Sequence, residues 1–240
     1  MISLTYTFAQ YGEKTFHSFD SSRDWWECQR CSTVSSNNVV IGCGHPQADL
    51  LFIGEGPGDK EDRCGVPMVG PSGDLFNNFL SAVGLDRGDV FVDNTVGCCG
   101  REDKHVRSPT PSEVSNCSRR LNETIIELDP LLIVALGSLA LKALAKESIQ
   151  ITKTRGDVLR ALVPGVLVMV EYPLIATFHP EFIRRNPEDP KNKRQRERSL
   201  KMQSLKDYAY AVKIMKLANR LYGRTFNGEK EQKAHQPTEG

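Results

Sequence analysis

The sequence predicts an α/β fold of three layers, with a central, mainly parallel four-stranded sheet between helices. Three observations lead there. The chain has 240 residues, 39% of them hydrophobic and 25% charged, the balance of a chain that can bury one sizeable core. Four short apolar runs are separated by stretches with helical spacing, and strands that alternate with helices form parallel sheets covered on both faces. The runs end in glycine, asparagine or histidine–proline, where the chain leaves a strand for a loop.

The first 46 residues are irregular, rich in aromatics and in turn formers such as the SSNN tetrapeptide at 35–38. The α/β pattern begins at Asp49, where DLLFIG reads as a buried strand that feeds the glycine-rich segment GEGPG. Gly73 to Gly84 sets Leu75, Phe76, Phe79, Leu80 and Val83 on one helical face and closes on glycine. A second strand, VFVDN, starts at Val90. Pro111 and Ser112 open a helix to about Leu128, with Glu113 in the first turn, where the helix dipole favours an acid. LLIVALG, from Leu131, is the third strand, and SLALKALAKE is the helix that follows it. The fourth strand spans Leu174 to Phe178 and ends at His179-Pro180; a last helix covers Ser199 to Leu221. Residues 1–223 are expected to form a single domain, and 224–240 a polar, disordered tail.

No run of about 18 apolar residues occurs, so no membrane span is expected. The opening MISLTYTFAQYGEKTF lacks the basic-then-apolar pattern of a secretory signal. The expectation is a cytoplasmic monomer, and seven cysteines in that compartment point to metal ligation or chance rather than disulfides. Cys28-x-x-Cys31 is a half-site for a thiolate-bound metal, and spacing alone does not choose between zinc and an iron–sulfur cluster. The net charge of +1 favours no class of partner, but Arg184 to Lys206 is strongly basic. By itself such a run is most simply a solvated helix face; its functional reading is a surface that tracks phosphates.

In a parallel sheet, ligands bind beyond the carboxyl ends of the strands. Three polar signals fall there: GEGPG after the first strand, Asn94 after the second and His179-Pro180 after the last. Glycines at 54, 56 and 58 let the backbone approach a ligand, but their spacing matches neither a Walker A loop nor a dinucleotide fingerprint. The acids of G54-E-G-P-G-D-K-E-D62 argue against a phosphate cradle. Glu55 and Asp59 suit activation of water or stabilisation of a developing cation. Each signal taken singly has a plainer reading: a tight turn, a turn asparagine, a strand-end histidine.

Together they resemble a known family. G54-E-G-P-G-D-K-E-D62, followed by G65-V-P-M-V-G-P-S-G73, is similar to the first active-site motif of the family 4, iron–sulfur uracil-DNA glycosylases. VDN94, P109-T-P-S-E113 with Cys117, VALG137, ITKTRG156 and TFHP180 follow in that family's order, over residues 24 to 222. The resemblance implies a uracil-DNA glycosylase-like fold. It also implies a DNA repair enzyme that flips deoxyuridine from uracil-containing DNA and hydrolyses its N-glycosidic bond, with no lyase step. Asn94 would then read the uracil edge with both an amide donor and an acceptor. His179 would donate to uracil O2 as charge builds there. Glu55, with Asp59, would position water or support the sugar cation, while Gly56 and Met68 line the base pocket. Arg184 and Arg185 would hold phosphates. Cys98 and Cys117 stand at the family's remaining ligand positions, so with Cys28 and Cys31 the resemblance favours a [4Fe–4S] cluster, zinc being the alternative. Cys99 adjoins Cys98 and is a substitute for it; Cys43 and Cys64 read as buried small hydrophobes.

Three features depart from the family's pattern. Met68 stands where a phenylalanine usually stacks on uracil, and a thioether makes a softer contact. The loop from Cys98 to Pro109 is longer than usual and holds His105. A related branch of the superfamily traps the sugar with a histidine on such a loop, whereas loop histidines are usually solvated. Glu181 follows His179-Pro180 where serine is common, adding negative charge near DNA. Met68 and the long loop keep open a second reading, a catalytically weak or inactive uracil- or DNA-binding protein on the same fold. A third, an unrelated zinc-stabilised interaction protein, requires the ordered motifs to be accidental.

Overall fold

The computed structural model describes residues 5–7, 15–17, 23–31, 36–145, 149–165, 167–186 and 193–222. The chain enters through β1 (Thr5–Thr7), β2 (Thr15–His17), α1 (Arg23–Trp26) and β3 (Cys43–Gly44). The α/β unit follows as β4 (Leu50–Gly54), α2 (Asp59–Cys64), α3 (Pro71–Ala82), β5 (Phe91–Asn94), the hairpin β6 (Arg101–Glu102) and β7 (His105–Val106), and α4 (Pro111–Leu128). It continues through β8 (Leu132–Leu136), α5 (Ser138–Ala145), α6 (Ile151–Thr154), β9 (Leu159–Pro164), β10 (Met169–Thr177), α7 (Pro180–Arg185) and α8 (Lys193–Tyr222). The tail expected at 224–240 lies outside the described residues.

The four expected strands form the centre of the sheet. β5, β4, β8 and β10 run parallel, with Gly54 opposite Asn94 and Ile133 opposite both Leu51 and Leu174. The whole sheet has eight strands, in the order β1-β2-β3-β5-β4-β8-β10-β9, because antiparallel strands add to both edges. β9 pairs with β10, and β3 joins β2 to β5. These additions have weak sequence signals: β3 has two residues, and β9 buries only alternate positions. Pairing with β9 also starts β10 at Met169, five residues before the apolar stretch that marks it in the sequence.

Burial explains the central elements. β4 and β8 are buried at every position, as strands covered on both faces must be. α3, α7 and α8 pack together on one face, while α4 and α5 lie against β8, β9 and β4 on the other. Tyr208 of α8 anchors the first layer, its ring centroid 5.3 Å from that of Phe52, 5.2 Å from Phe79 and 6.1 Å from Phe76. Such aromatic pairs contribute about 1 kcal/mol each beyond the area they bury. α3 begins at Pro71, whose fixed φ suits a first helical position. α4 carries a reciprocal cap: Thr110 Oγ1 accepts the Glu113 N–H at 3.3 Å, and the Glu113 carboxylate accepts the Thr110 N–H at 2.8 Å. Arg107 grips the same carboxylate and, despite burial, holds its pKa down at about 2.

The N-terminal segment is tied to this unit by polar contacts. Asp62, fully buried in α2, accepts from Ser36 Oγ at 2.6 Å, Asn37 N at 2.9 Å, Asn37 Nδ2 at 2.6 Å and Arg101 Nη2 at 2.8 Å. Burial alone would raise its pKa, and these donors keep it below the usual carboxylate range. Trp25 donates from Nε1 to Glu123 of α4 at 2.7 Å, and the Arg30 guanidinium lies 4.6 Å from the centre of its ring. Cys64, expected to be buried, is exposed: it ends α2 on the outward side, whereas Cys43 is buried as expected. No described helix is long and apolar enough to cross a membrane.

Replacing Asp62 with Ala orphans several donors and removes one of the two carboxylates that hold Arg101, so it is expected to cost about 3 kcal/mol of stability in urea unfolding. Limited proteolysis should then cut between residues 23 and 40 before the rest of the chain. A loss below about 1 kcal/mol would mean that the segment is held by other contacts.

Candidate active site and cysteine cavity

The parallel register brings the polar strand ends to one edge. Gly54 sits beside Asn94, and the Thr95 N–H and hydroxyl both donate to the Gly54 carbonyl at 2.9 Å. A side chain at position 54 would collide with Asn94 Oδ1 and stand 3.2 Å from Met68 Cε. Asn94 and Met68 therefore converge over this glycine, both almost fully buried. Met68 holds a left-handed backbone, φ 56°, unusual for a residue with a side chain. Two buried charges hold that turn. Glu61 accepts from Val69 N at 3.0 Å and Gly70 N at 2.7 Å, and Arg87 donates to the Pro67 carbonyl at 2.8 Å. Gly56 packs against Val96 and Pro109, and Glu55 is half-buried in the same loop. Asp59 opens α2, is 57% exposed at its side chain, and pairs with Arg101 of the β6–β7 hairpin. An arginine thus engages the charge of Asp59, the residue expected to share the role of Glu55.

His179 caps the N-terminus of α7, its Nδ1 accepting the Glu181 N–H at 3.1 Å. A ring nitrogen that accepts a bond carries no proton, so the neutral imidazole bears its hydrogen on Nε2. Burial pushes the imidazole down to about 4, so it is neutral at pH 7. Gly137, at φ +96°, lets β8 turn away beside the ring: a side chain there would stand 3.2 Å from His179 Cβ. The strand end before His179 is also fixed. Thr177 donates to Asp207 of α8 at 2.7 Å, Arg155 grips Asp207 with two 3.0 Å bonds, and its guanidinium stacks 4.6 Å from the centre of Phe178. Glu181 is bonded by Ser72 and paired with Arg185 and Arg184. Although burial opposes its charge, these partners hold its carboxyl below the usual range. The negative charge expected near DNA is therefore largely compensated. Arg185 is 74% exposed at its side chain, and Arg184 is 37% exposed.

Cys28, Cys31, Cys98 and Cys117 line one cavity of about 530 Å³ between the N-terminal segment, the loop after β5 and α4. Burial, then the charges that Cys117, Cys28 and Cys31 would carry, push the Cys98 thiol up to about 12. Four thiolates can stand together here only with positive charge among them. Donors already point at two of the sulfurs: Gly97 N and Arg120 Nε approach Cys117 Sγ at 3.3 and 3.4 Å, and Asn116 Nδ2 approaches Cys31 Sγ at 3.5 Å. Among the described residues, no three His, Cys, Asp or Glu side chains meet closely enough for a single metal ion. Cys99 does not share the cavity; it is fully buried beside Arg101 and the α2 acids. His105 is exposed on the β6–β7 hairpin, as solvated loop histidines are.

Arg120 was not apparent as a site residue. It is fully buried, with Nη1 bonding both carboxylate oxygens of Asp93 at 2.9 and 2.7 Å and Nη2 bonding the Asn94 carbonyl. Its signal lies in the helix pattern: an arginine stands in the apolar stripe with Leu121, Thr124 and Ile125, one turn after Cys117. Glu61 and Arg155 fall inside quoted motifs; the Glu61 partners are backbone groups that leave no side-chain signature, and the Arg155 partner, Asp207, is distant in sequence.

The sequence model of the uracil DNA glycosylase superfamily matches residues 41–202. The chain is 37% identical over 162 residues to the type-4 uracil-DNA glycosylase of Thermotoga maritima, covering 67% of this chain and 79% of that one. It is 33% identical over 210 residues to the type-4 uracil-DNA glycosylase of Saccharolobus solfataricus, covering 85% and 91%. A third relative of the same description, from Pyrobaculum aerophilum, is 35% identical over 161 residues, covering 67% of this chain and 81% of its own length. With a family match over two thirds of its length and relatives of this similarity, the chain belongs to the uracil DNA glycosylase superfamily, in its type-4 branch.

Proposed function

We propose that this chain is a monofunctional uracil-DNA glycosylase of DNA repair, with residues 1–223 as its single domain. The observation that carries this reading is the convergence on one sheet edge of Asn94, Met68 over Gly54, and a neutral His179 with its proton on Nε2. A flipped deoxyuridine would place its base against Met68 and its pairing edge toward the Asn94 amide, which offers both a donor and an acceptor. As the glycosidic bond lengthens, negative charge gathers on uracil O2. A neutral N–H donor fixed there stabilises that charge without first having to be protonated. Glu55, half-buried on the loop after β4, is the carboxylate that would support the positive charge left on the sugar or orient water. Asp59, held by Arg101, acts at most by shaping this loop. Arg184 and Arg185 hold the phosphates on either side, so binding weakens with salt. The substrate places the enzyme inside the cell, where thiols stay reduced.

The four cavity cysteines fit a [4Fe–4S] cluster better than a single zinc ion: they line one space of about 530 Å³, and among the described residues no three ligating side chains meet closely enough to share one ion. When bound, such a cluster supplies thiolate bonds that cross-link the N-terminal segment to α4 and to the loop after β5. Its role here is structural, and the reaction needs no electron transfer.

The deciding measurement is base release from a uracil-containing oligonucleotide, followed by alkali cleavage at the abasic site. Release is expected in the wild type and should fall at least 100-fold in Glu55→Ala and His179→Ala. Tight binding of uracil-containing DNA without release would instead identify a binding protein. Asn94→Ala should lower affinity for uracil-containing DNA about 10-fold or more while leaving undamaged DNA within two-fold, in a fluorescence titration; equal losses on both would remove Asn94 from base reading. The His179 pKa sets the acid limit. The rate should show no inflection near pH 6.5 and should fall as pH drops through about 4, when Nδ1 gains a proton and loses its bond from Glu181 N. Because the unfolded chain takes up that proton near its ordinary value and the fold only near about 4, His179 also disfavours the folded state increasingly across that window.

A further inference from the structure

We infer that Arg120 is a positioning residue that ties the base-reading end of β5 to the cysteine cavity. The inference rests on the proposed glycosylase reading and deepens it. One guanidinium reaches three groups in different parts of the site: Asp93 through both carboxylate oxygens, the Asn94 carbonyl, and Cys117 Sγ at 3.4 Å through Nε. Asn94 is the residue whose side chain lies over Gly54, and its backbone is gripped next to that side chain. The same sulfur also accepts from Gly97 N at 3.3 Å. The chain from Asp93 to Gly97 is therefore held near both ends, and both holds lead to Cys117.

The chemistry of the sulfur decides how firm those holds are. A metal-bound thiolate is a strong acceptor for two N–H donors, whereas a protonated thiol is a weak one. Arg120 is fully buried, so its fork has no water to fall back on and its direction is set by Asp93 and Cys117 together. The planar fork explains why arginine is used: lysine, a point donor on a flexible stem, cannot bond a carboxylate twice and still reach a carbonyl and a sulfur. Ligation at Cys117 would thereby order the residue that reads the base, through the one guanidinium that bonds both.

The test compares the wild-type protein, isolated with its metal, with Arg120→Lys and with the double variant Arg120→Gln/Asp93→Asn, which removes the ion pair without leaving a lone buried charge. The first readout is the iron–thiolate stretching region in resonance Raman spectra. Loss of the N–H bond to Cys117 strengthens that iron–sulfur bond and should move a band to higher frequency, with iron content unchanged. The second is steady-state release from a uracil-containing oligonucleotide, alongside binding of the undamaged duplex. The inference expects kcat to fall about 10- to 100-fold in both variants, the size typical when residues around a metal's ligands are changed, with undamaged duplex bound within two-fold of wild type. A drop in release with an unmoved Raman band, a moved band with unchanged release, or an equal loss of undamaged duplex binding would each overturn it. Variants that lose iron or fail to fold while the conservative lysine also fails would assign Arg120 to folding alone and overturn it too. The wild-type arm separates the two readings: no iron–thiolate bands there removes the cluster, and no release there removes the glycosylase, whatever the variants do.

Discussion

The buried pair of Arg120 and Asp93 is the interaction on which the rest of the site depends. Both side chains are out of water, so each needs the other, and the arrangement that satisfies the guanidinium also engages Asn94 and Cys117. That constraint joins α4 to the end of β5, and with it the helix that carries Cys117 to the strand that presents the Asn94 amide. A polar link of this kind contributes less to raw stability than an apolar core would. What it adds is direction, because a fork with three fixed partners allows one orientation of the strand end.

Two further buried acids do the same for the neighbouring loops. Glu61 gathers the backbone N–H groups at 58, 69 and 70, which fixes the turn that puts Met68 into a left-handed conformation over Gly54. Asp62, its neighbour on α2, gathers residues 36–38 and Arg101, which brings the N-terminal segment back to the sheet. One short helix thus fixes the Met68 turn with one carboxylate and the cysteine-bearing segment with the next. The opposite wall is organised by Asp207 and Arg155, which fix β10 just before His179.

The departures from the family pattern have physical meaning in this setting. Met68 offers a polarizable but flexible surface where a phenylalanine would offer a flat ring, and it does so from a constrained, left-handed backbone. Glu181 does not leave a bare negative charge beside DNA, since Ser72, Arg184 and Arg185 engage it. The long loop after Cys99 forms a hairpin whose Arg101 supplies the cation that both Asp59 and Asp62 need. Like-charged acids on one turn of α2 are tolerated because that loop lies over them.

The sequence by itself determined the parallel core and the edge on which the site lies. Continuous apolar runs such as LLFIG and LIVAL, short and closed by glycine, read as strands buried on both faces, and polar residues at their ends then share one edge. Motif order supplied the candidate residues Glu55, Asn94 and His179, and the cysteine pairing, since these are local features. The tertiary structure alone decided the rest. The edge strands β3 and β9 form through pairing with neighbours rather than through their own apolar content. Cys98 rather than Cys99 faces the other cysteines, because adjacent residues on extended chain point opposite ways. The tautomer of His179 depends on one backbone N–H, and the importance of Arg120 depends on Asp93, 27 residues earlier in the chain. Such partners meet only after the chain has folded, and no local pattern records them.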